Sequence, residues 1–149
     1  MAELLAELIG QAVLFNELVA KSLGIHAVDL QAFGVIARHG GPITPTEVMT
    51  ATGLAASSTT RVLDRLESAG FIVRSLVPAD RRKIAIEVVA SRAAEVAEHY
   101  TGKIDQIERL NAKRTDAEIA AVLSYLSELA MPDGGGPSTG APARTTRRP

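Results

Sequence analysis

One stretch near the middle of the chain limits the fold more than any other. Residues 71–89 contain two runs rich in β-branched residues, Phe71–Val77 and Ile84–Val89, which are separated by Pro78 and four consecutive charges at 80–83. Such runs are typical of strands, and a short polar connection between them predicts a hairpin. Helical patterns lie on both sides. The expected fold class is therefore mainly α with one small β-hairpin (α+β).

The connection of this hairpin is basic, because Asp80 is followed by Arg81, Arg82 and Lys83. Three cations on an exposed turn favour contact with nucleic-acid phosphate. A solvated turn is the alternative, since most turns are polar. The distribution of charge favours nucleic acid: residues 54–83 contain six cations and three anions, although the whole chain has a net charge of −1.

Two short helices are predicted directly before the hairpin. Thr44, Pro45 and Glu47 indicate a helix start, with a hydroxyl N-cap, a proline at the first helical position and a carboxylate that returns to the cap. This helix is expected to end near Gly53, and a second helix to span residues 56–69. Two such helices followed by a basic hairpin are typical of a winged helix-turn-helix. An αα-hairpin with a polar surface is the alternative.

Four regions are expected along the chain. Residues 1–40 contain two helices, of which the first has an apolar surface broader than a single stripe. Residues 41–90 form the winged helix-turn-helix lobe, and residues 91–131 form two further helices. The composition of residues 132–149, rich in Gly, Pro, Ser and Thr, cannot bury a core and predicts a disordered basic tail.

Several kinds of site are excluded by composition. The chain has no cysteine, which removes disulfides, thiolate zinc sites and thiol-based redox sensing. His26, His39 and His99 are too widely spaced to suggest a metal site. No nucleophile–base pair or phosphate loop points to an enzyme, and no cofactor is expected. Without an apolar run of membrane-spanning length or a signal peptide, the protein is expected in the cytoplasm.

Taken together, these residues resemble the MarR family of bacterial transcriptional regulators. The similarity covers residues 4–130, and its most specific parts are SSTTRVLDRLESAGFIVR at 57–74 and PADRRKIAIEVV at 78–89. The resemblance implies a homodimer held by the first and the last two helices. Two winged helices would then meet a pseudo-palindromic DNA operator, as in a repressor that associates with the nucleoid when bound.

The resemblance also implies which side chains contact DNA. The recognition helix falls on residues 56–69 and would lie in the major groove, where arginine can fork to guanine edges and hydroxyls suit bases or phosphates. The expected contacts on this helix are Ser57, Ser58, Thr60, Arg61 and Arg65.

In the wing, the resemblance assigns separate roles to the charged residues. Asp80 would hold the loop through a salt bridge to Arg82, and Arg82 would enter the minor groove. Arg81 and Lys83 would contact phosphate.

Three positions depart from the family pattern. Ala55 and Ala56 replace the usual Ser-Pro, so the recognition helix loses its side-chain N-cap at a cost of about 1 kcal/mol. The wing has Val77 where the family has a first Asp. Residues 88–92 replace a Leu-Thr-x-x-Gly pattern, although Ser91 could cap the following helix.

Many relatives bind a small aromatic or anionic effector between the dimer helices and the DNA-binding lobe, and this releases DNA. Near that junction the sequence has Phe15, His26, Arg38, His39 and Tyr100. Core packing is the alternative explanation for Phe15, and helix capping the alternative for His26. A second reading of the whole chain is a winged-helix module that regulates through a protein partner, which the weak net charge and the acidic flanks suggest.

Overall fold

The structure, a computed structural model, describes residues 1–77 and 80–130, with the backbone alone at Arg81 and Arg82. The predicted tail lies outside these residues. Two compact units divide the chain, residues 1–102 and the residues from 103 onward. The described elements in chain order are α1 (Ala2–Leu23), α2 (Ala27–His39), α3 (Pro45–Thr52), α4 (Ala56–Ser68), β1 (Ile72–Val77), β2 (Asp80–Val88), α5 (Ala90–Asn111) and α6 (Asp116–Ala130).

The capping signals that the sequence contains are formed as predicted. At the start of α3, the backbone N–H of Thr44 donates to the Glu47 carboxylate (2.8 Å), and the Glu47 N–H donates to the Thr44 hydroxyl (3.3 Å). Thr115 and Glu118 repeat this arrangement before α6. Ala55 precedes α4 without a side-chain cap. The starts of α3 and α6 are therefore set by local chemistry.

The hairpin differs from the prediction in where its second strand begins. Strand β2 begins at Asp80, so the prediction that it begins at Ile84 is wrong. Leu76 is opposite Ile84, whereas Val77 is opposite Asp80, and the register changes between them. A bulge accommodates extra residues in one strand. The backbone of residues 81–83 therefore belongs to β2 and not to the turn.

A buried core holds the winged helix-turn-helix together. Phe33 of α2 and Phe71 meet edge to face with ring centroids 5.6 Å apart. The backbone of Ile43 pairs with that of Ile86, which ties the segment before α3 to β2. Around them cluster buried apolar side chains, all at most 2 % exposed: Ala32, Ile36, Val48, Val62, Leu63, Leu66 and Ile72. The inner face of α4 is thus fixed against α2 and the hairpin.

A smaller cluster joins α1 to α2 and to the first half of α5. Val19, Ala20 and Leu30 are buried, and Phe15 and Tyr100 pack against them. The hydroxyl of Tyr100 donates to the Asn16 side chain (2.8 Å). The helix α5 continues through Gly102 without a break.

Both units also expose apolar side chains on their helices. In the first unit, Leu4, Leu8, Ile9, Val13, Leu14 and Leu18 of α1 are 52–70 % exposed. In the second unit the exposed apolar residues are Ile104, Ile107, Leu110, Val122, Leu123, Tyr125, Leu126 and Leu129. Within the described residues no single helix is both long and apolar enough to span a membrane; only α1 and α2 taken together reach that length and composition, and they meet at 93°.

Candidate nucleic-acid interface

The recognition helix α4 has one buried face and one open face. Thr59, Val62, Leu63 and Leu66 point into the core. Since each residue of an α-helix advances by about 100°, the opposite side of the helix is centred near Ser57 and Arg61. The exposed residues on that side are Ser57, Ser58, Thr60, Arg61 and Asp64.

Three of these side chains are unbonded within the described part of the chain. Ser57, Ser58 and Arg61 form no side-chain hydrogen bond or ion pair with any residue that the structure describes. The Thr60 hydroxyl donates to the Ala56 carbonyl (3.1 Å), which leaves its lone pairs available as acceptors. An uncommitted arginine between small hydroxyls can meet either base edges or phosphates.

Arg65 differs from the other predicted contacts, because its guanidinium is bound to Asp29 of α2. Nε lies 3.1 and 2.9 Å from the two carboxylate oxygens, and Nη2 lies 2.5 Å from Oδ1. Asp29 is only 1 % exposed, and it also accepts the backbone N–H of His26 (3.2 Å). The hydrogen bond to Asp29 raises the pKa of Arg65 further above its usual range. Arg65 therefore links α4 to α2.

The sequence contained a partial signal for this link. Asp29 stands three residues after His26, a spacing at which its carboxylate can cap the start of α2, and it accepts the His26 N–H there. A carboxylate that is buried at a helix start needs a cationic partner. That partner is 36 residues away in the chain, and no local pattern identifies it.

A second link, between α4 and strand β1, was not predicted. Arg74 of β1 lies 2.8 Å from Asp64 and 3.2 Å from Glu67, which are exposed on α4. The only hint was the i, i+3 spacing of the two carboxylates on one side of α4. Arg65 and Arg74 are thus both neutralised inside the lobe, so the positive charge free to meet DNA is smaller than the sequence total.

The start of α5 is joined to the end of α4 by Arg92, another residue that sequence reasoning missed. Its Nη2 donates to the Ala69 carbonyl (2.9 Å), and its guanidinium lies 4.5 Å from the centre of the Phe71 ring. Nη1 of Arg92 also forms an ion pair with Oε2 of Glu95 at 2.6 Å. Arg92 therefore caps α4 from outside the helix.

The wing is described in part. Lys83 is exposed and Asp80 is half-buried. The side chains of Arg81 and Arg82 lie outside the described residues, and with them the predicted Asp80–Arg82 salt bridge.

The carboxylate of Glu47, at the start of α3, has a lowered pKa. Hydrogen bonds from the Thr44 side chain and backbone lower the pKa of Glu47, and the charges of His39 and Lys83 act weakly in the same direction.

The five residues suggested for an effector are not brought together. Arg38 and Tyr100 line one open cleft of about 670 Å³, together with Asn16, Leu30, Gly34, Thr52 and Val96. His26 lines a separate groove of about 440 Å³ beside Asp29 and Arg65. Phe15 packs against Tyr100 at 5.3 Å, and the His39 ring contacts the Gly41 carbonyl.

The cleft has one polar end. Arg38 forms no hydrogen bond or ion pair with a described residue, and its guanidinium lies over Gly34, where an added Cβ would be 3.2 Å from Nη1. Burial raises the pKa of Tyr100, whose hydroxyl is held by Asn16. The cleft thus combines apolar walls with one cation.

A helix-turn-helix with an uncommitted arginine on its second helix, followed by a two-stranded wing, defines the winged helix-turn-helix class of DNA-binding regulators. Residues 23–83 match a family model whose description is "MarR family". Over this segment the chain is similar to the MarR family of transcriptional regulators.

Known relatives agree with this assignment. The uncharacterized HTH-type transcriptional regulator YcgE of Bacillus subtilis is 28% identical over 120 residues, which are 80% of this chain and 77% of that protein. A mutant MarR from E. coli complexed with operator DNA is 25% identical, with a TM-score of 0.60 over 88% of this chain and 93% of that one. Streptococcus pneumoniae FabT in complex with DNA shares the fold, with 20% identity and a TM-score of 0.68 over 86% of this chain and 91% of that one. The predicted family and fold class are confirmed.

Proposed function

We propose that this protein is a homodimeric transcriptional repressor that binds a pseudo-palindromic DNA operator. The observation that carries the proposal is the open face of α4, where Arg61 stands between Ser57 and Ser58 without a partner among the described residues. An exposed arginine on a recognition helix is the side chain best suited to read a guanine edge. Structures of two relatives in complex with DNA support the same proposal.

The proposed DNA contacts divide between the two grooves. Arg61 reads bases in the major groove, and Ser57, Ser58 and Thr60 contact bases or phosphates beside it. In the wing, Arg82 enters the minor groove while Asp80 steadies it, and Arg81 and Lys83 bind phosphate. No catalytic role is proposed.

A second copy of the chain is the proposed cover for the exposed apolar helices. A run of apolar side chains such as Leu4, Leu8 and Leu18 exceeds what a monomer ordinarily leaves in water. The same holds for Leu123 and Leu126 in the second unit. A two-fold dimer would bury these residues and present two recognition helices about one turn of DNA apart.

The cleft beside Arg38 is the proposed effector site. Its apolar walls and single free guanidinium suit a small aromatic or anionic molecule. Such a ligand would contact α1, α2, α3 and the first half of α5, and it would release DNA if it favoured an arrangement with misaligned recognition helices.

Selection of genomic fragments by the purified protein tests the DNA-binding proposal. We expect captured fragments that share a palindrome, bound with a Kd in roughly the nanomolar range and weakening steeply with salt. Repeating the selection with aromatic carboxylates identifies an effector by loss of the captured fragments. The proposal fails if no fragment is preferred over random DNA.

A protein-interaction module is the second candidate function. It is favoured by the net charge of −1 and by the neutralisation of Arg65 and Arg74 within the lobe. If this candidate is right, Arg61→Ala and Arg82→Ala leave DNA retention unchanged and abolish the capture of a protein partner. As a regulator of either kind the protein would work in the cytoplasm, at the nucleoid when bound to DNA.

A further inference from the structure

We infer that Asp29 and Arg65 are a positioning pair, in which a buried carboxylate of α2 sets the orientation at which the recognition helix meets DNA. The inference rests on the proposed function. It changes the part that Arg65 plays in it, because Arg65 then acts through α2 and not by contact with a base or phosphate.

The geometry of the pair leaves neither group free to turn. The guanidinium presents Nε and Nη2 to one carboxylate, which is the forked arrangement that arginine forms best. On its other side, the carboxylate accepts the backbone N–H of His26 at the start of α2. Asp29 is thus fixed by its own helix, and it fixes Arg65 in turn.

The bond to Asp29, and not the position of Arg65 on α4, separates Arg65 from the reading face. Arg65 lies about 40° around the helix from Arg61, but its guanidinium is held against α2 at the edge of that face. Withdrawing Arg65 towards a phosphate would leave Asp29 charged, unpaired and 1 % exposed. The cost of such an unpaired buried charge exceeds the contribution of one solvent-exposed phosphate contact.

The remaining contacts between α4 and α2 do not fix the orientation of α4 by themselves. Val62, Leu63 and Leu66 supply apolar packing, which is strong but non-directional. Small rolls of α4 about its axis would preserve much of that packing. A forked ion pair does not tolerate such a roll, so it specifies one orientation of the helix.

The link between Arg74 and Asp64 provides a matched comparison. It holds the neighbouring residue of α4, yet Asp64 is 55 % exposed and Glu67 can replace it as a partner. Exposed pairs of this kind contribute little. Loss of Glu67 leaves Asp64 as the partner of Arg74, so it should leave the orientation of α4 unchanged.

A double-mutant cycle on the full chain tests the inference. The variants are Arg65→Ala, Asp29→Asn and the double variant, with Glu67→Gln as the matched control because Glu67 lies off the open face of α4. Operator affinity is measured at several salt concentrations, and urea unfolding verifies that each protein is folded. We expect each single variant to weaken operator binding by about tenfold, the double variant to be no weaker than either, and the salt dependence to stay unchanged. The control should change affinity less than about twofold.

A conservative variant separates charge from geometry. Arg65→Lys keeps the positive charge and loses the fork. If Arg65 positions the helix, this variant weakens binding as much as Arg65→Ala does. If Arg65 contacts phosphate, lysine restores the affinity.

The inference is overturned if Asp29→Asn leaves operator affinity intact or raises it while Arg65→Ala lowers the salt slope by about one contact. Additive losses in the double variant overturn it as well. Failure of the proposed function has a different signature, because the wild-type protein would then show no preference for any operator fragment, and the inference would fall with it.

Discussion

The winged helix-turn-helix lobe buries its apolar side chains within the chain, whereas the flanking helix α1 leaves many of them exposed. In the lobe, Phe33, Leu66 and Phe71 are at most 2 % exposed and pack against one another. On α1, Leu4 and Leu8 are 70 % and 60 % exposed. The lobe therefore owes its stability to contacts within one chain, whereas the apolar side of α1 stays exposed in the single chain and is where a second copy is proposed to pack. Changes in the lobe should act at every protein concentration, and changes on α1 should act through association.

The largest effect is expected from the core of the lobe. Phe71→Ala removes a ring that packs against Phe33 and beneath Arg92, so it should lower the free energy of unfolding by about 3–5 kcal/mol. Urea unfolding at two protein concentrations measures this loss. A loss that vanishes at high concentration would contradict the view that the lobe is self-sufficient.

The next effect is expected from the exposed side of α1. Leu8→Glu places a charge where a second copy is proposed to pack, and it should give a monomer in light scattering and weaken operator binding at least about a hundredfold. Ala6→Glu adds the same charge about 160° away around α1, beside the exposed Ile9 and Val13, and shows whether that side of α1 is covered as well. A monomeric wild-type protein, or a dimeric Leu8→Glu variant, would show that α1 has another partner.

A smaller effect, confined to DNA, is expected from the open face of α4. Arg61→Ala should weaken operator binding by about 1–3 kcal/mol and relax the preference at one base pair, with the urea midpoint and the solution mass unchanged. Lys21→Ala removes an equal charge from α1 and should leave affinity unchanged. Equal losses in both variants would mean that net charge alone drives binding.

A modest gain is expected at the uncapped start of α4. Ala55 is in an extended conformation that suits an N-cap, and Ala55→Ser should raise the free energy of unfolding by about 0.5–1 kcal/mol. Thermal unfolding should show the same gain at low and high protein concentration. A decrease would indicate that the serine hydroxyl cannot reach the backbone of α4.

The smallest effect concerns the pH dependence of the lobe. The hydrogen bonds from Thr44 lower the pKa of Glu47 below 4.5, so the folded state gains stability above the unfolded pKa and loses it as the pH falls through the folded one. Glu47→Gln should therefore differ most from wild type at neutral pH and converge with it in acid. Thermal unfolding between pH 7 and about pH 3 measures this, with Glu17→Gln as control. A difference that persists in acid would contradict the assignment to the carboxylate.

Most of the fold was predictable because its signals are local. Thr44 and Glu47 mark the start of α3 through bonds that span three residues, and Thr115 and Glu118 do the same for α6. The start of β2 was not predictable in this way, since Asp is depleted in strands and the pairing of Asp80 with Val77 of β1 overrides that preference.

The positions of the candidate DNA-contacting residues were predictable only where their side chains form no bond with another described residue. Ser57, Ser58 and Arg61 face outward, as the helical period implies. Their role in DNA binding stays a proposal. The grouping of Phe15, His26, Arg38, His39 and Tyr100 did not follow from position in the chain, because the packing of α1, α2 and α5 decides which of them share a cleft.

The sequence by itself determined which segments are helices, where their caps lie, and which family the chain resembles. These properties depend on residues within about four positions of one another or on motifs read in order. Only the tertiary structure decided that Arg65 binds Asp29 and that Arg74 binds Asp64. Those pairs form because the packing of α4 against α2 and β1 brings distant charges into contact, and side chains of identical type are thereby divided into those that hold the recognition helix and those left open to meet DNA.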